Sequence, residues 1–368
     1  MTTNHQLKKV LFLSGREANY PRNQLIINSL KSFSKTEVIS SQRKDISSGS
    51  YTRIILQSAK CIFVSILKLL FNTYQLIFIG FFGQLIVLPI SIMTKTPLVL
   101  DFFVSAYDTL VFDRQKIRKT SIIAKLLYKM EKLGCKRAAL IYVDTQSHRD
   151  YFCDLFFIPK EKIEVLPVGC DEDIFQPIDV IENLNLVLYY STYMPLHGVD
   201  IVIQAAKLLE NISPIQFKLI GRGMGLNRSM ELARHLNVQN VTFSPPVRLL
   251  QLPKEIATAT ICLGGHFGDT AKARRVIAGK TYQILAMKKP VIVSDCEANR
   301  ELLIHTKDAW FCGLSDPKSL AEGIKTLHEN HALRNQIAEN GYKTFKSKAS
   351  FKELGRKFEH QLITHQFH

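Results

Sequence analysis

Between Ala257 and Leu303 this chain reads ATATICLGGHFGDTAKARRVIAGKTYQILAMKKPVIVSDCEANRELL. The run Thr260 to Leu263 is apolar and breaks at Gly264-Gly265. A polar loop follows, then a short helical segment, an apolar strand from Pro290 to Val293, and a polar turn into another helix. Strand, charged loop, helix and strand in that order are the rhythm of a parallel α/β domain. Loops that follow such strands gather at one edge of the sheet, where ligands bind. Four cations, Lys272, Arg274, Arg275 and Lys280, lie in this segment. Beside helix N-termini they make a seat for a diphosphate; by themselves they make only a solvated basic loop.

The same rhythm runs through the rest of the chain. Val10 to Leu13, Val38-Ile39, Leu76 to Ile79, Pro97 to Leu100, Leu140 to Val143 and Lys162 to Leu166 read as strands, with helices over 23–33 and 53–71. Leu76 to Met93 is almost continuously apolar and approaches the ~18–20 residues that span a bilayer. Gly80, Gly83, Gln84 and Pro89 interrupt it, so a strand, a glycine turn and a short helix account for it equally well. The segment Ile178 to Asn185 is a candidate linker. Beyond it Leu186 to Tyr190, Phe217 to Ile220 and Val241 to Phe243 read as strands, Val199 to Leu209 as a helix, and a helical tail begins near Leu320. Gly221-Arg-Gly-Met-Gly225 ends one strand, but its glycine spacing is not that of a dinucleotide fingerprint.

Charge narrows the partners. The chain holds 48 Lys and Arg against 32 Asp and Glu, a net charge of +16 over 368 residues, and both halves carry the excess. Nucleic acid, anionic lipid and phosphorylated small molecules are the classes that such a balance favours. No recognisable nucleic-acid module is present, which sets the first aside. Between 114 and 137 stand Arg114, Lys116, Arg118, Lys119, Lys125, Lys129, Lys132, Lys136 and Arg137 against the single acid Glu131. Ile122, Ile123, Leu126, Leu127, Met130 and Leu133 interleave at helical spacing. Either this apolar stripe packs on the sheet, or the helix lies on an anionic membrane. The cationic face can meet lipid in both cases. The seven cysteines are odd in number and widely spaced, without metal-ligand spacing, which fits a reducing cytoplasm. Lys8-Lys9 before Val10 to Leu13 is too short a pattern for a signal peptide.

Several motifs coincide in order. VLPVGCDEDIFQP, with Gly169, Asp171, Phe175 and Pro177, resembles the inter-domain signature of retaining glycosyltransferases of family 4. LYYSTYMPLHGVDIVIQAA resembles the opening of that family's C-terminal domain, and FKLIGRG its strand ending in I-G-x-G. Phe267-Gly268 and Leu285-Ala-Met-Lys-Lys-Pro-Val-Ile292 resemble its donor-site motifs.

The resemblance implies an α/β chain of GT-B fold, two Rossmann-like domains with parallel sheets facing across a cleft. It divides the chain into an N-terminal acceptor-side domain (1–177), a C-terminal nucleotide-sugar-binding domain (178–349), and a helix (350–368) crossing back to the first. The reaction implied is sugar transfer with retention, from a nucleoside diphosphate sugar to a glycan or lipid-linked acceptor in surface polysaccharide synthesis. Its partners would be that donor, that acceptor and an anionic membrane surface, in the cytoplasm or on the cytoplasmic membrane face. No cofactor or metal is expected beyond the donor as substrate.

By the resemblance, donor binding falls to Gly15, Arg222, Phe267, Gly268, Arg274, Arg275, Lys280, Gln283 and Glu301. The backbone amides after Asp295, near Glu297 to Arg300, would join them. Asp101 and Asp108 would orient the acceptor hydroxyl, and His197 would touch the diphosphate. Departures from the pattern are equally visible. The arginine and lysine expected after the first C-domain strand are absent, His197 holding the lysine's place. Gln283 stands where a ribose-binding glutamate is usual. The other family glutamate maps to Arg275, or to Gly265 if Phe267-Gly268 set the alignment. Either the inserted cations take over the phosphate role in a divergent subfamily, or the chain is an inactive GT-B protein that binds a membrane or a partner.

Overall fold

The computed structural model describes residues 7–40, 51–212, 214–365 and 367. The chain divides into two compact units, Met1–Val168 with Leu354–His368, and Gly169–Glu353.

The first unit alternates strand and helix: β1 (Lys9–Ser14), α1 (Pro21–Phe33), β2 (Lys35–Ser40), α2 (Tyr51–Phe71), β3 (Leu76–Ile79), α3 (Gln84–Met93), β4 (Leu98–Asp101), α4 (Ala106–Asp108), α5 (Ile122–Arg137), β5 (Leu140–Val143), α6 (Gln146–Phe156) and β6 (Ile163–Val165). Six parallel strands lie in the order β2-β1-β3-β4-β5-β6. Strands covered on both faces must be apolar throughout, and β3 and the Val10 to Leu13 part of β1 are buried at every residue. Ile86, Val87 and Ile90 of α3 join Leu11, Leu13, Ile77 and Ile79 in one core cluster.

The apolar run from Leu76 to Met93 is thus a strand, a turn and α3. No helix among the described residues is long and apolar enough to cross a membrane. The sequence offered a buried stripe on α5, and here the structure differs. Ala124, Glu131, Gly134 and Cys135 form its buried side, while Ile122, Ile123, Leu126 and Leu133 are exposed. The reason is close packing. A Cβ on Gly134 would lie 2.6 Å from Val87 Cγ1, so α5 meets α3 through small residues; of its large ones Leu127 and Tyr128 pack against Tyr107 and Val111, while Ile122, Ile123, Leu126 and Leu133 stay outside.

The second unit comprises β7 (Asn183–Ser191), α7 (Val199–Leu209), β8 (Gln216–Gly221), α8 (Leu226–His235), β9 (Val241–Ser244), α9 (Leu252–Thr258), β10 (Ala259–Leu263), α10 (Ala271–Arg275), α11 (Gly279–Ala286), β11 (Val291–Ser294), α12 (Glu297–Leu302), β12 (Trp310–Cys312), α13 (Pro317–Glu329) and α14 (His331–Lys348). Its six parallel strands run β12-β11-β10-β7-β8-β9. Val187, Tyr189, Ile261, Leu263 and Ile292 pack under α7 and α13. The expected linker is partly strand, since β7 begins at Asn183, and the basic loop is two short helices, α10 and α11.

The last helix, α15 (Phe351–Thr364), follows. From Leu354 onward it belongs with the first unit, where Phe358 sets its ring 5.6 Å from Phe78 and 5.3 Å from Tyr142. The division falls at Val168 and Gly169, earlier than the boundary of 177 drawn from the motif. Cys170 bridges to Ser350, and the Glu172 carboxylate accepts the Phe351 and Lys352 amides at the start of α15. These contacts hold 169–177 in the second unit.

Candidate active site

In the second sheet the chain leaves β7 for β8 and β9 on one side, then returns to lay β10, β11 and β12 on the other. The point of reversal, between β7 and β10, is where an open parallel sheet forms a crevice at its carboxyl edge. Three loops meet there, and their glycines explain how closely. Gly198 has φ +60°, and a Cβ on it would lie 2.4 Å from the Gly268 nitrogen. In return the Gly268 amide donates to the Leu196 carbonyl at 3.1 Å. Beyond β8, Cβ atoms on Gly221, Gly223 and Gly225 would strike the carbonyl oxygens of Ser191, Thr192 and Tyr193 at 1.9, 1.8 and 2.5 Å. The GRGMG segment is therefore a close-packing surface for the loop after β7, which accounts for a spacing unlike a dinucleotide fingerprint.

These loops bring a set of polar side chains together. The turn Pro195–His197 carries His197, whose Nδ1 lies 2.8 Å from Ser191 Oγ, and Ser191 Oγ accepts the Tyr193 amide at 2.9 Å. Tyr189 donates its hydroxyl to the His197 carbonyl at 2.6 Å. The His266 ring lies parallel to that of His197, centroids 5.4 Å apart. Lys280, in the first turn of α11, places Nζ 3.9 Å from the centre of the Tyr189 ring. Only 9% of Lys280 is exposed, and Nζ has no hydrogen-bond partner. One turn on, the Gln283 amide oxygen accepts the Tyr190 hydroxyl at 2.8 Å. Tyr189 and Tyr190, at the end of β7, both reach α11: Lys280 Nζ also lies 5.8 Å from the centre of the Tyr190 ring.

Burial sets the charge state of this cluster. Desolvation lowers the Lys280 ammonium to about 7. His266 is brought down to about 3 by desolvation first, then by the charges of Lys280 and Lys272. His197 is pushed far below the usual imidazole range by the same burial, then by Lys280 and His266. Both imidazoles are thus neutral at pH 7, and the one cation they surround is poised to gain or lose its proton. An orphaned cationic nitrogen in a tyrosine- and histidine-lined recess is built to receive an anion.

Among the other candidates, Phe267 is fully buried against Tyr189, 5.7 Å between rings. Arg274 and Arg275 lie on α10, which packs against the Pro195–His197 turn and α12. Arg274 is exposed and pairs with Asp269 at 2.6 Å; Arg275 is half-buried. Arg222 is exposed beyond β8, and Glu301 is half-buried on α12. The proposed amides near Glu297 begin α12, a helix of 6 residues.

The remaining three lie in the first unit. Asp101 is enclosed, its carboxylate held by Arg22 Nη2 at 2.8 Å and Nε at 3.1 and 3.2 Å, while Arg22 Nη1 donates to the Leu166 and Pro167 carbonyls. With neither side chain exposed, this pair ties β4, α1 and the end of β6 together, which argues against an acceptor-orienting role. Asp108 is buried and accepts the Tyr151 hydroxyl at 2.7 Å, a packing role again. Gly15 follows β1, and a Cβ there would meet the Phe82 carbonyl oxygen at 2.4 Å. Sequence reasoning passed over Tyr189, Tyr190, Ser191 and His266. The signal for His266 was its position beside Phe267-Gly268.

Among the described residues no group of three or more His, Cys, Asp and Glu is arranged to hold a metal ion. No curated protein sequence matches the chain. Residues 171–344 match the model of the family described as glycosyl transferases group 1. Among solved structures, sucrose-phosphate synthase from Thermosynechococcus elongatus superposes with a TM-score of 0.77 at 14% identity, covering 97% of this chain and 98% of the other. HepE of Anabaena, solved with UDP and glucose, gives 0.72 at 15% identity over 97% and 100%. A glycosyltransferase of Rickettsia africae gives 0.70 at 14% identity over 98% of each. These identities speak for the fold, two six-stranded parallel α/β sheets of the GT-B kind. The group 1 match over residues 171–344, together with that fold, supports a GT-B glycosyltransferase.

Proposed function

We propose that this chain is a retaining glycosyltransferase related to family 4, which moves a sugar from a nucleoside diphosphate sugar to a glycan or lipid-linked acceptor in surface polysaccharide synthesis. The observation that carries the reading is Lys280. Its buried, unpartnered ammonium stands over the Tyr189 and Tyr190 rings at the end of β7, close enough to His197 for its charge to act on that ring. A departing diphosphate would supply the counter-charge that this nitrogen lacks, and charge stabilisation of the leaving group is the main task in such a transfer. HepE, solved with UDP and glucose, supports a nucleotide-sugar as the ligand class.

In this reading the second unit holds the donor. His197 replaces a family lysine as a neutral group, steered by Ser191 Oγ, which can offer the diphosphate a hydrogen bond but no charge. Lys280 then carries the charge near the leaving phosphate, with Arg274 and Arg275 on the adjacent helix. Gln283 holds a ribose hydroxyl through its amide, its oxygen already oriented by Tyr190. The acceptor falls to the first unit, where Asp101 and Asp108 serve packing and other groups must orient the hydroxyl.

A transfer assay tests this. Purified chain is offered UDP-, GDP- and ADP-sugars with a lipid-linked glycan acceptor, and the product anomer is read by proton NMR. Turnover of at least one donor with the donor's own anomeric configuration is expected; inversion overturns the retaining assignment. Absence of both transfer and donor hydrolysis across the panel overturns the enzyme reading.

A further inference from the structure

Three helices of the first unit lie side by side on one face of its sheet, α2 against α3 and α3 against α5. Their outward surface is unusual in two respects at once. It exposes large apolar side chains: Leu56, Phe63, Leu67, Leu70 and Phe71 on α2, Ile92 and Met93 at the end of α3, and Ile122, Ile123, Leu126 and Leu133 on α5. Phe71 is 83% exposed, Ile92 70% and Ile122 84%, so these residues are in water rather than at the margin of a core. On α2 they recur at i, i+7, i+11 and i+14, one continuous stripe.

The second respect is charge. From Leu56 through Phe71, across α3, and from Arg114 to Arg137, the single carboxylate is Glu131. That group is 2% exposed and bonded inward, to Ser105 Oγ and the Ala106 and Tyr107 amides. The exposed charges of these helices are therefore cations, with Lys68 of α2 paired to Glu37 of β2 at 3.1 Å. Lys125 and Lys129 alternate with Ile122, Leu126 and Leu133 on the outer side of α5, and Lys119, Lys136 and Arg137 flank its ends.

We infer that this face docks on an anionic lipid bilayer surface. The chemistry on both sides matches. Aliphatic and phenylalanine side chains enter the boundary between headgroups and acyl chains, and lysines on the same helix face reach the lipid phosphates from flexible apolar stems. A polar partner protein would leave eleven large apolar groups poorly matched. A mostly apolar partner would leave the lysines unpaired. A bilayer of mixed headgroup and chain supplies both. Contact is peripheral, since no helix among the described residues is long and apolar enough to cross a membrane. The inference rests on the surface of the first unit and not on the donor site, so it stands or falls apart from the sugar-transfer reading.

Vesicle co-sedimentation of the full chain provides the test, with phosphatidylcholine vesicles, the same vesicles containing phosphatidylglycerol, and no vesicles. Binding to the anionic vesicles is expected, with little to the neutral ones, and it should weaken as salt rises. Lys125→Gln and Lys129→Gln should each lower partitioning by about fivefold, the effect of one cation near a charged bilayer. The double variant Ile122→Ser/Leu126→Ser keeps the charge and should also release the protein. Circular dichroism and donor-site nucleotide binding check that each variant is folded. Equal binding to neutral and anionic vesicles, or none to either, would overturn the inference. So would sedimentation-velocity evidence of a dimer that the Ile122→Ser/Leu126→Ser change dissociates, because the face would then be covered by a second copy of the chain.

Discussion

At the scale of residues, the site turns on one proton. An unfolded lysine titrates near 10.4, whereas Lys280 in the folded chain is lowered to about 7 by burial. Between those values the unfolded state holds a proton that the folded state has shed. Stability of the ligand-free protein therefore rises with pH from about 7 to about 10. Replacing Lys280 by Met, of similar length and without charge, should flatten that rise, as read from chemical denaturation at a series of pH values. A slope unchanged by Lys280→Met would mean that the ammonium is not desolvated. Little of this was legible beforehand. The sequence shows four cations in one segment, but only packing decides that Arg274 pairs outward with Asp269 while Lys280 turns inward over Tyr189. The surroundings of Asp101 were hidden for the same reason. Asp101 ends a strand at the edge where ligands bind, and nothing local announces that Arg22, distant in sequence, encloses it.

At the scale of elements, the loops rather than the strands set the geometry. Gly221 is the clearest case, with φ +143° and the Ser191 carbonyl oxygen where its Cβ would stand. Gly221→Ala combines backbone strain with overpacking, each worth about 1–3 kcal/mol. The loop after β7 must shift to relieve it. Since that loop carries Ser191 and His197, the variant should lose stability by at least about 1 kcal/mol in denaturant melts and bind nucleotide more weakly in calorimetry. Unchanged affinity would detach the glycine ladder from the site. Strands and most helices could be read from the sequence, because fully buried parallel strands leave short apolar runs that local patterning exposes. The face of α5 could not. Its apolar positions have the spacing of a buried stripe, and the inversion comes from a tertiary fact, the fit of Gly134 on Val87. Helical spacing reports that a stripe exists, not which partner covers it.

At the scale of the molecule, two units of similar build carry different surfaces. The first exposes a cationic, apolar helix layer, and the second gathers histidine, tyrosine and lysine at its topological reversal. A ligand that binds only the folded state stabilises it by about 2.7 kcal/mol at a hundredfold excess over Kd, so a donor reveals itself without knowledge of the acceptor. The most direct test of the central claim is thermal denaturation of the wild type and Lys280→Met with UDP-, GDP- and ADP-sugars. The account predicts that at least one nucleotide-sugar raises the melting temperature of the wild type, and that Lys280→Met loses most of that rise. A wild type indifferent to every nucleotide-sugar, or a Lys280→Met variant stabilised as strongly as the wild type, would contradict it.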